Sequence, residues 1–189
     1  MELSRYELKQ LFGLGSIANY RSAESFAVLY ERTHLIVFRY IYSMHGETQQ
    51  DVEDLWSETY LRAWRSRFRF AGDGDAALGW LLRIARNLVI DKHRRQKRYA
   101  VSQLQNLEDI VESAAEMPEN RLVAKEEHLA LWKMLETLSQ EQREILILRY
   151  IVGWQVKQIA EHLQVPANSV SVTLRRTLSR MARTQGESP

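Results

Sequence analysis

The sequence predicts an all-α protein, and three observations carry that prediction. Apolar residues return at intervals of three and four along most of the chain. Only 3 prolines and 8 glycines interrupt its 189 residues. Ser139, with Gln142 three positions on, has the capping-box pattern that marks a helix start. The expected architecture is two small helical domains joined by an acidic flexible linker, the C-terminal one a helix-turn-helix. The boundaries fall at 1–23 for an N-terminal extension, 24–98 for the first domain, 99–119 for the linker, 120–183 for the second domain and 184–189 for a tail.

The extension holds only a short apolar-periodic piece (Tyr6, Leu8, Leu11, Phe12) followed by Gly13 and Gly15. From Glu24 to His45 a helix is expected, with Phe26, Leu29, Tyr30, Leu35, Ile36, Phe38, Ile41 and Tyr42 as core. The next helix, Gln50 to about Phe68, turns Val52, Leu55, Trp56, Thr59, Ala63 and Trp64 inward. Its outer face is acidic early (Asp51, Glu53, Asp54, Glu58) and basic late (Arg62, Arg65, Arg67, Arg69). That order suits the helix dipole, although the dipole does not explain the number of charges.

A glycine–aspartate loop follows, and its spacing does not match a calcium loop, so no metal is expected there. Between Gly79 and Arg98 a helix is expected with Trp80, Leu81, Ile84, Leu88 and Asp91 on one side. Arg83, Arg86, Asn87, Arg94 and Arg95 lie on the others. A solvated basic face or a membrane-surface helix accounts for the charge alone. An aromatic, an amide and several arginines on one short helix also meet the needs of single-stranded DNA: a stacking surface, a base-edge reader and phosphate partners. The linker reverses sign, with Glu108, Asp109, Glu112, Glu116 and Glu119 and no Lys or Arg between Tyr99 and Asn120. Residues 120–136 return to helical spacing.

Three helical patterns close the chain. Ile145, Leu148 and Val152 form the apolar face of the first, with Gly153 as its stop. Val156, Ile159, Ala160 and Leu163 form that of the second, and Gln155 stands where Ser or Thr would cap it better. After Gln164-Val165-Pro166 the third places Val170, Leu174, Leu178 and Met181 inward. Two short helices joined by about four residues, with a small Ala160 at the crossing, form a helix-turn-helix pattern. The outer positions of the third helix, among them Asn168, Ser169, Ser171, Arg175 and Arg176, include no acid. Short polar groups near a helix N-terminus suit base edges, and guanidinium groups suit guanine or phosphate.

The formal net charge is only +2, but the charges are segregated: Arg62 to Arg98 is strongly basic, and the linker is acidic. With 0 cysteines, disulfides, thiolate zinc sites and cysteine nucleophiles are excluded. The 5 histidines are scattered, and there is no catalytic triad pattern or glycine-rich phosphate loop. Neither an enzyme nor a cofactor is expected. No long apolar run or signal-peptide pattern occurs, so a cytoplasmic protein is expected.

Three stretches, Asp51 to Arg65 (DVEDLWSETYLRAWR), Trp80 to Asp91 (WLLRIARNLVID) and Leu138 to Tyr150 (LSQEQREILILRY), precede the helix-turn-helix in that order. Together they resemble the extracytoplasmic-function sigma factors of the sigma-70 family over roughly residues 24 to 183. The resemblance implies a specificity subunit that directs core RNA polymerase to promoters by −35 binding and −10 strand opening. It implies docking on the β′ clamp helices through Asp51, Glu53, Asp54 and Glu58, and contact with the β flap. It assigns −10 recognition to Arg62, Trp80, Arg83, Arg86 and Asn87, with Asn87 matching the position that takes a flipped base. It assigns −35 recognition to Asn168, Ser169, Ser171, Val172, Arg175 and Arg176, the apolar Val172 suiting a thymine methyl. The linker is similar to one that threads toward the RNA exit channel. The usual family arrangement adds an anti-sigma factor. A rival reading, a free-standing helix-turn-helix regulator, explains Leu138 to Met181 and leaves Asp51 to Arg98 without a role.

Overall fold

The computed structural model describes residues 20–45, 48–72, 74–103, 135 and 137–186. Six α-helices and no strand occur among them. They are α1 (Ala23–His45), α2 (Gln49–Ser66), α3 (Gly74–Gln103), α4 (Gln140–Tyr150), α5 (Val156–Leu163) and α6 (Ala167–Gly186), with one 3-10 turn at Arg67–Arg69. Most of the stretch expected as linker, and the helix expected over 120–136 apart from Leu135, lie outside the described residues. So does nearly all of the N-terminal extension. Helix α3 continues to Gln103, five residues past the expected domain end at Arg98. Tyr20 is buried and its ring lies 6.2 Å from that of Phe70, so the first domain gathers in chain from before Glu24.

Helices α1, α2 and α3 pack pairwise into a bundle. Leu29, Val37 and Ile41 of α1, Val52 and Ala63 of α2, and Leu81, Leu82, Ala85 and Val89 of α3 form its centre. Burying each large aliphatic side chain contributes about 1.5–3 kcal/mol. Aromatic rings extend the core on one side, with Tyr30 edge-on to Tyr60 at 4.9 Å and tilted against Trp56 at 5.7 Å. Several of the polar atoms that this packing buries are hydrogen-bonded. Thr33 Oγ1 donates to Leu29 O at 2.6 Å and shares a hydrogen bond with the Tyr60 hydroxyl at 2.9 Å, and Trp56 Nε1 donates to His34 O at 3.1 Å. Thr48 caps α2, its hydroxyl accepting from Asp51 N–H at 3.2 Å.

The core faces differ from the expected ones in three places, and each difference is one of helical phase. Leu35 and Tyr42, expected inside, are exposed, and Thr33, Val37 and Tyr40 take the buried stripe of α1. In α3, Asp91 is exposed, while Leu82, Ala85 and Val89 turn inward between two packing partners. In α6, Thr177 is buried and Leu178 exposed, so the stripe runs Val170, Leu174, Thr177 and Met181. Steps of four, three and four follow 3.6 residues per turn more closely than two successive steps of four.

The predicted start of α4 is present: Gln142 N–H donates to Ser139 Oγ and Ser139 N–H to Gln142 Oε1, both at 3.3 Å. Gly153 takes φ 80°, the left-handed conformation that ends the helical path. Gln155 does not leave α5 loose, because its N–H donates to the Gln158 side chain at 2.9 Å. Gln164, also left-handed at φ 58°, makes the turn into α6.

Candidate nucleic-acid interface

Helix α6 packs on α5 and α4, and its Val170 and Leu174 are buried in the core together with Ile159, Ala160 and Leu148. That leaves Asn168, Ser169, Ser171, Arg175 and Arg176 exposed over the first three turns, with Val172 half-buried. Ser171 Oγ donates to Ala167 O at 3.1 Å. Arg180, further along, reaches back to Gln142 Oε1 at 3.2 Å. The first turn of α6 contains no acid, so nothing in it competes for the arginines. The residues expected at the −35 element therefore lie together on one largely exposed side of α6.

The residues expected at the −10 element lie on α2 and α3, and most already have partners. Arg62 Nε donates to Glu58 Oε1 at 2.7 Å, a surface pair one helical turn apart of the kind worth about 0.3–0.5 kcal/mol and easily broken. Trp80 stacks on Phe70, ring centroids 4.7 Å apart and planes 22° apart. Arg83 and Asn87 are exposed. Arg86 Nε donates to both carboxylate oxygens of Glu144, each at 2.9 Å. Burial works against the charge of Arg86, but the Glu144 carboxylate outweighs it and holds the guanidinium pKa above its ordinary value.

Two of the four acids expected to meet polymerase are held in ion pairs within the chain. Asp51 Oδ1 accepts from Lys92 Nζ at 2.5 Å and Oδ2 lies 3.8 Å from His45 Nε2, which ties the start of α2 to α3. Partial burial opposes its ionisation, yet the Lys92 contact overcomes this and lowers the Asp51 pKa. Glu58 is the partner of Arg62. Glu53 and Asp54 are exposed, Glu53 accepting from Gln49 at 2.8 Å.

Several residues of these surfaces escaped the sequence reading. A cavity of about 530 Å³ opens beside Trp80 and Arg83, and Phe70, Trp154, Glu161 and His162 complete its wall. Trp154 and His162 meet edge to face at 5.0 Å. Burial, then the positive charges of Arg83 and Arg86, push the His162 pKa down to about 4. Aromatic residues bracketing the glycine–aspartate loop were a usable signal for Phe70. Nothing in the local pattern marks Trp154, His162 or Glu144. Among the described residues no group of three or more His, Asp or Glu is placed to hold a metal ion, and no helix is long and apolar enough to cross a membrane.

Comparison with known proteins agrees with this architecture. The family "Sigma-70 region 2" matches residues 29–99 and "Sigma-70, region 4" matches residues 128–181. The chain is 28% identical over 158 residues to the ECF RNA polymerase sigma factor SigX of Bacillus subtilis, covering 82% of this chain and 80% of that one. It is 30% identical over 161 residues to the ECF RNA polymerase sigma factor BldN of Streptomyces coelicolor, covering 85% of this chain and 60% of BldN. Its fold is similar to that of the sigma factor RpoE solved with the anti-sigma factor NepR from Bartonella quintana, with TM-score 0.70, 21% identity, and 88% of this chain and 100% of that one covered. It is also similar to CnrH solved with the cytosolic domain of CnrY, with TM-score 0.65, 21% identity and 96% of each chain covered. Two helical units, each matched to a sigma-70 region in the order expected, place the chain in the extracytoplasmic-function group of the sigma-70 family, as an RNA polymerase sigma factor.

Proposed function

We propose that this sigma factor reads promoters with two chemically different surfaces and uses binding energy alone. The N-terminal half of α6 enters the major groove of the −35 element, where Asn168, Ser169, Ser171, Val172, Arg175 and Arg176 meet base edges and phosphates. The face of α3 that carries Trp80, Arg83, Arg86 and Asn87, with Arg62 of α2 beside it, takes the opened −10 strand. The exposure of the acid-free first turns of α6 is the observation that carries this reading. Flipping a base costs a few kcal/mol. Stacking and amide contacts of about 1–3 kcal/mol per base offset that cost. The protein is then not an enzyme, and catalysis belongs to the polymerase.

The partners proposed are core RNA polymerase, through the β′ clamp helices and the β flap, and promoter DNA, duplex and single-stranded. Glu53 and Asp54 are the acids best presented to the clamp, since Asp51 and Glu58 are engaged in ion pairs. An anti-sigma factor is a further proposed partner, because RpoE and CnrH were each solved with an inhibitor or the cytosolic part of another chain. The proposed location is the cytoplasm, and the proposed domain limits are those given above, with the first domain running on to Gln103.

The test is Asn87→Ala. It should weaken promoter opening, read as permanganate reactivity of unpaired thymines, by the equivalent of about 1–3 kcal/mol. Binding to core polymerase should be unchanged. Equal loss of opening and core binding would remove Asn87 from its assigned role. Co-purification with core polymerase separates the sigma-factor reading from a free-standing regulator, which would bind duplex DNA and never core.

A further inference from the structure

Glu144 is 0% exposed, yet neither of its partners belongs to its own unit. It sits on α4, at the base of the helix-turn-helix. The Tyr40 hydroxyl of α1 donates to Oε1 at 2.8 Å, and Arg86 of α3 donates to both oxygens. A buried carboxylate must be hydrogen-bonded, and an isolated one would be strongly unfavourable. Its burial therefore depends on the two units being in contact. Burial and the Glu144 carboxylate together raise the Tyr40 pKa well above that of a free phenol, so this hydroxyl stays a donor.

The contact continues to either side of Glu144. Arg143 Nη1 donates to Met44 O, the penultimate residue of α1, at 3.2 Å. At the other end of the seam, a β-carbon placed on Gly79 of α3 would lie 3.7 Å from the Trp154 ring and 4.0 Å from His162 Nδ1. These are ordinary contact distances, so Gly79 of α3 lies against the α4–α5 connection with room for no more than a methyl group's contact. Arg83, Arg86 and Trp80 all lie along this seam.

We propose that Glu144 is a latch, closing the helix-turn-helix unit over part of the strand-opening face and withholding Arg86 from DNA until the units separate. The inference rests on the assignment of Trp80, Arg83 and Arg86 to the opened strand. One guanidinium edge cannot hold Glu144 and a phosphate at once. Glu144 is buried and Arg86 is half-buried; the desolvation of the carboxylate cancels much of the attraction, while the geometry of the pair is demanding. Such a contact fixes one docked arrangement without making it hard to leave, which suits a device that must open on polymerase.

The latch can be tested without DNA. The chain has no cysteine, so Ser57→Cys and Ser179→Cys, both at exposed positions of α2 and α6, give two clean sites for spin labels on the full-length protein. The parent should give one narrow distance population. Glu144→Gln should give a longer, broader one with helicity unchanged, and the open population should rise about fivefold or more. Tyr40→Phe, which removes one hydrogen bond and keeps the ring, should shift it in the same direction by less, and it decides the matter if Glu144→Gln does not fold. Unchanged distances in the folded variants, or a parent that is already broad, would overturn the latch. Failure of the −10 assignment would appear instead in the Asn87→Ala experiment and would leave these distances as they are.

Discussion

In the helix-turn-helix unit, Arg175 and Arg176 stand exposed on α6, whereas in the bundle Arg86 is held by Glu144 and Arg62 by Glu58. Both sets face nucleic acid in the proposed function, but they start from different states. A recognition helix buries one narrow stripe and leaves the rest of its circumference to solvent, so its reading face is finished as soon as the unit folds. A strand-opening face needs aromatic and cationic groups that would otherwise stand unpaired in a concave surface. Here two of those groups are engaged by the protein itself, Trp80 stacking on Phe70 and Arg86 turned to a carboxylate from the other unit, while Arg83 and Asn87 stay exposed. Under the proposed assignments, the difference implies an order of events, with the duplex-reading face open at once and Arg86 released to the single strand only after rearrangement.

The sharpest way to break the comparison is to unfold one side of it. Ile159 is fully buried where α5 meets the core of its unit, so Ile159→Ala should cost about 2–5 kcal/mol. Calorimetry checks this, and duplex binding should fall with the stability. A cost below about 1 kcal/mol would mean that the site collapses around the missing side chain.

A smaller effect separates base reading from charge. Arg176→Ala should weaken −35 binding by about 1–3 kcal/mol and relax preference at one base pair. Equal loss on every sequence, with a shallower salt dependence, would make Arg176 a phosphate contact only.

The smallest expected effect concerns pH and the seam. His162 has a pKa of about 4 against an ordinary value of 6.5, from burial and from Arg83 and Arg86. The folded protein therefore binds fewer protons than the unfolded one. Stability from this source is complete above pH 6.5 and declines as pH falls from there toward 4. Unfolding midpoints measured across that window should fall, and His162→Gln should flatten the decline. An equally steep decline in His162→Gln would place the titrating group elsewhere.

Much of this was legible in the chain because the relevant signals are local. The Ser139–Gln142 cap, the stop at Gly153 and the exposed basic face of α6 all act within one or two helical turns, so a linear pattern records them. Phase errors arose where a small polar residue could take a core position. Thr177 is buried and Leu178 is not, because the partner helices select the stripe and hydrophobicity alone does not. The same limit hid Tyr60, whose hydroxyl is buried only because Thr33 shares a hydrogen bond with it.

By itself, the sequence determined most of the helices, the Ser139–Gln142 cap, the helix-turn-helix and the segregation of charge, since each follows from side-chain spacing along a single helix. Only the tertiary structure decided what Glu144 does. On an isolated helix it reads as an ordinary solvent-facing charge between Arg143 and Ile145. Its partners lie 58 and 104 residues away in sequence, and contact across such distances leaves no periodic mark in the chain.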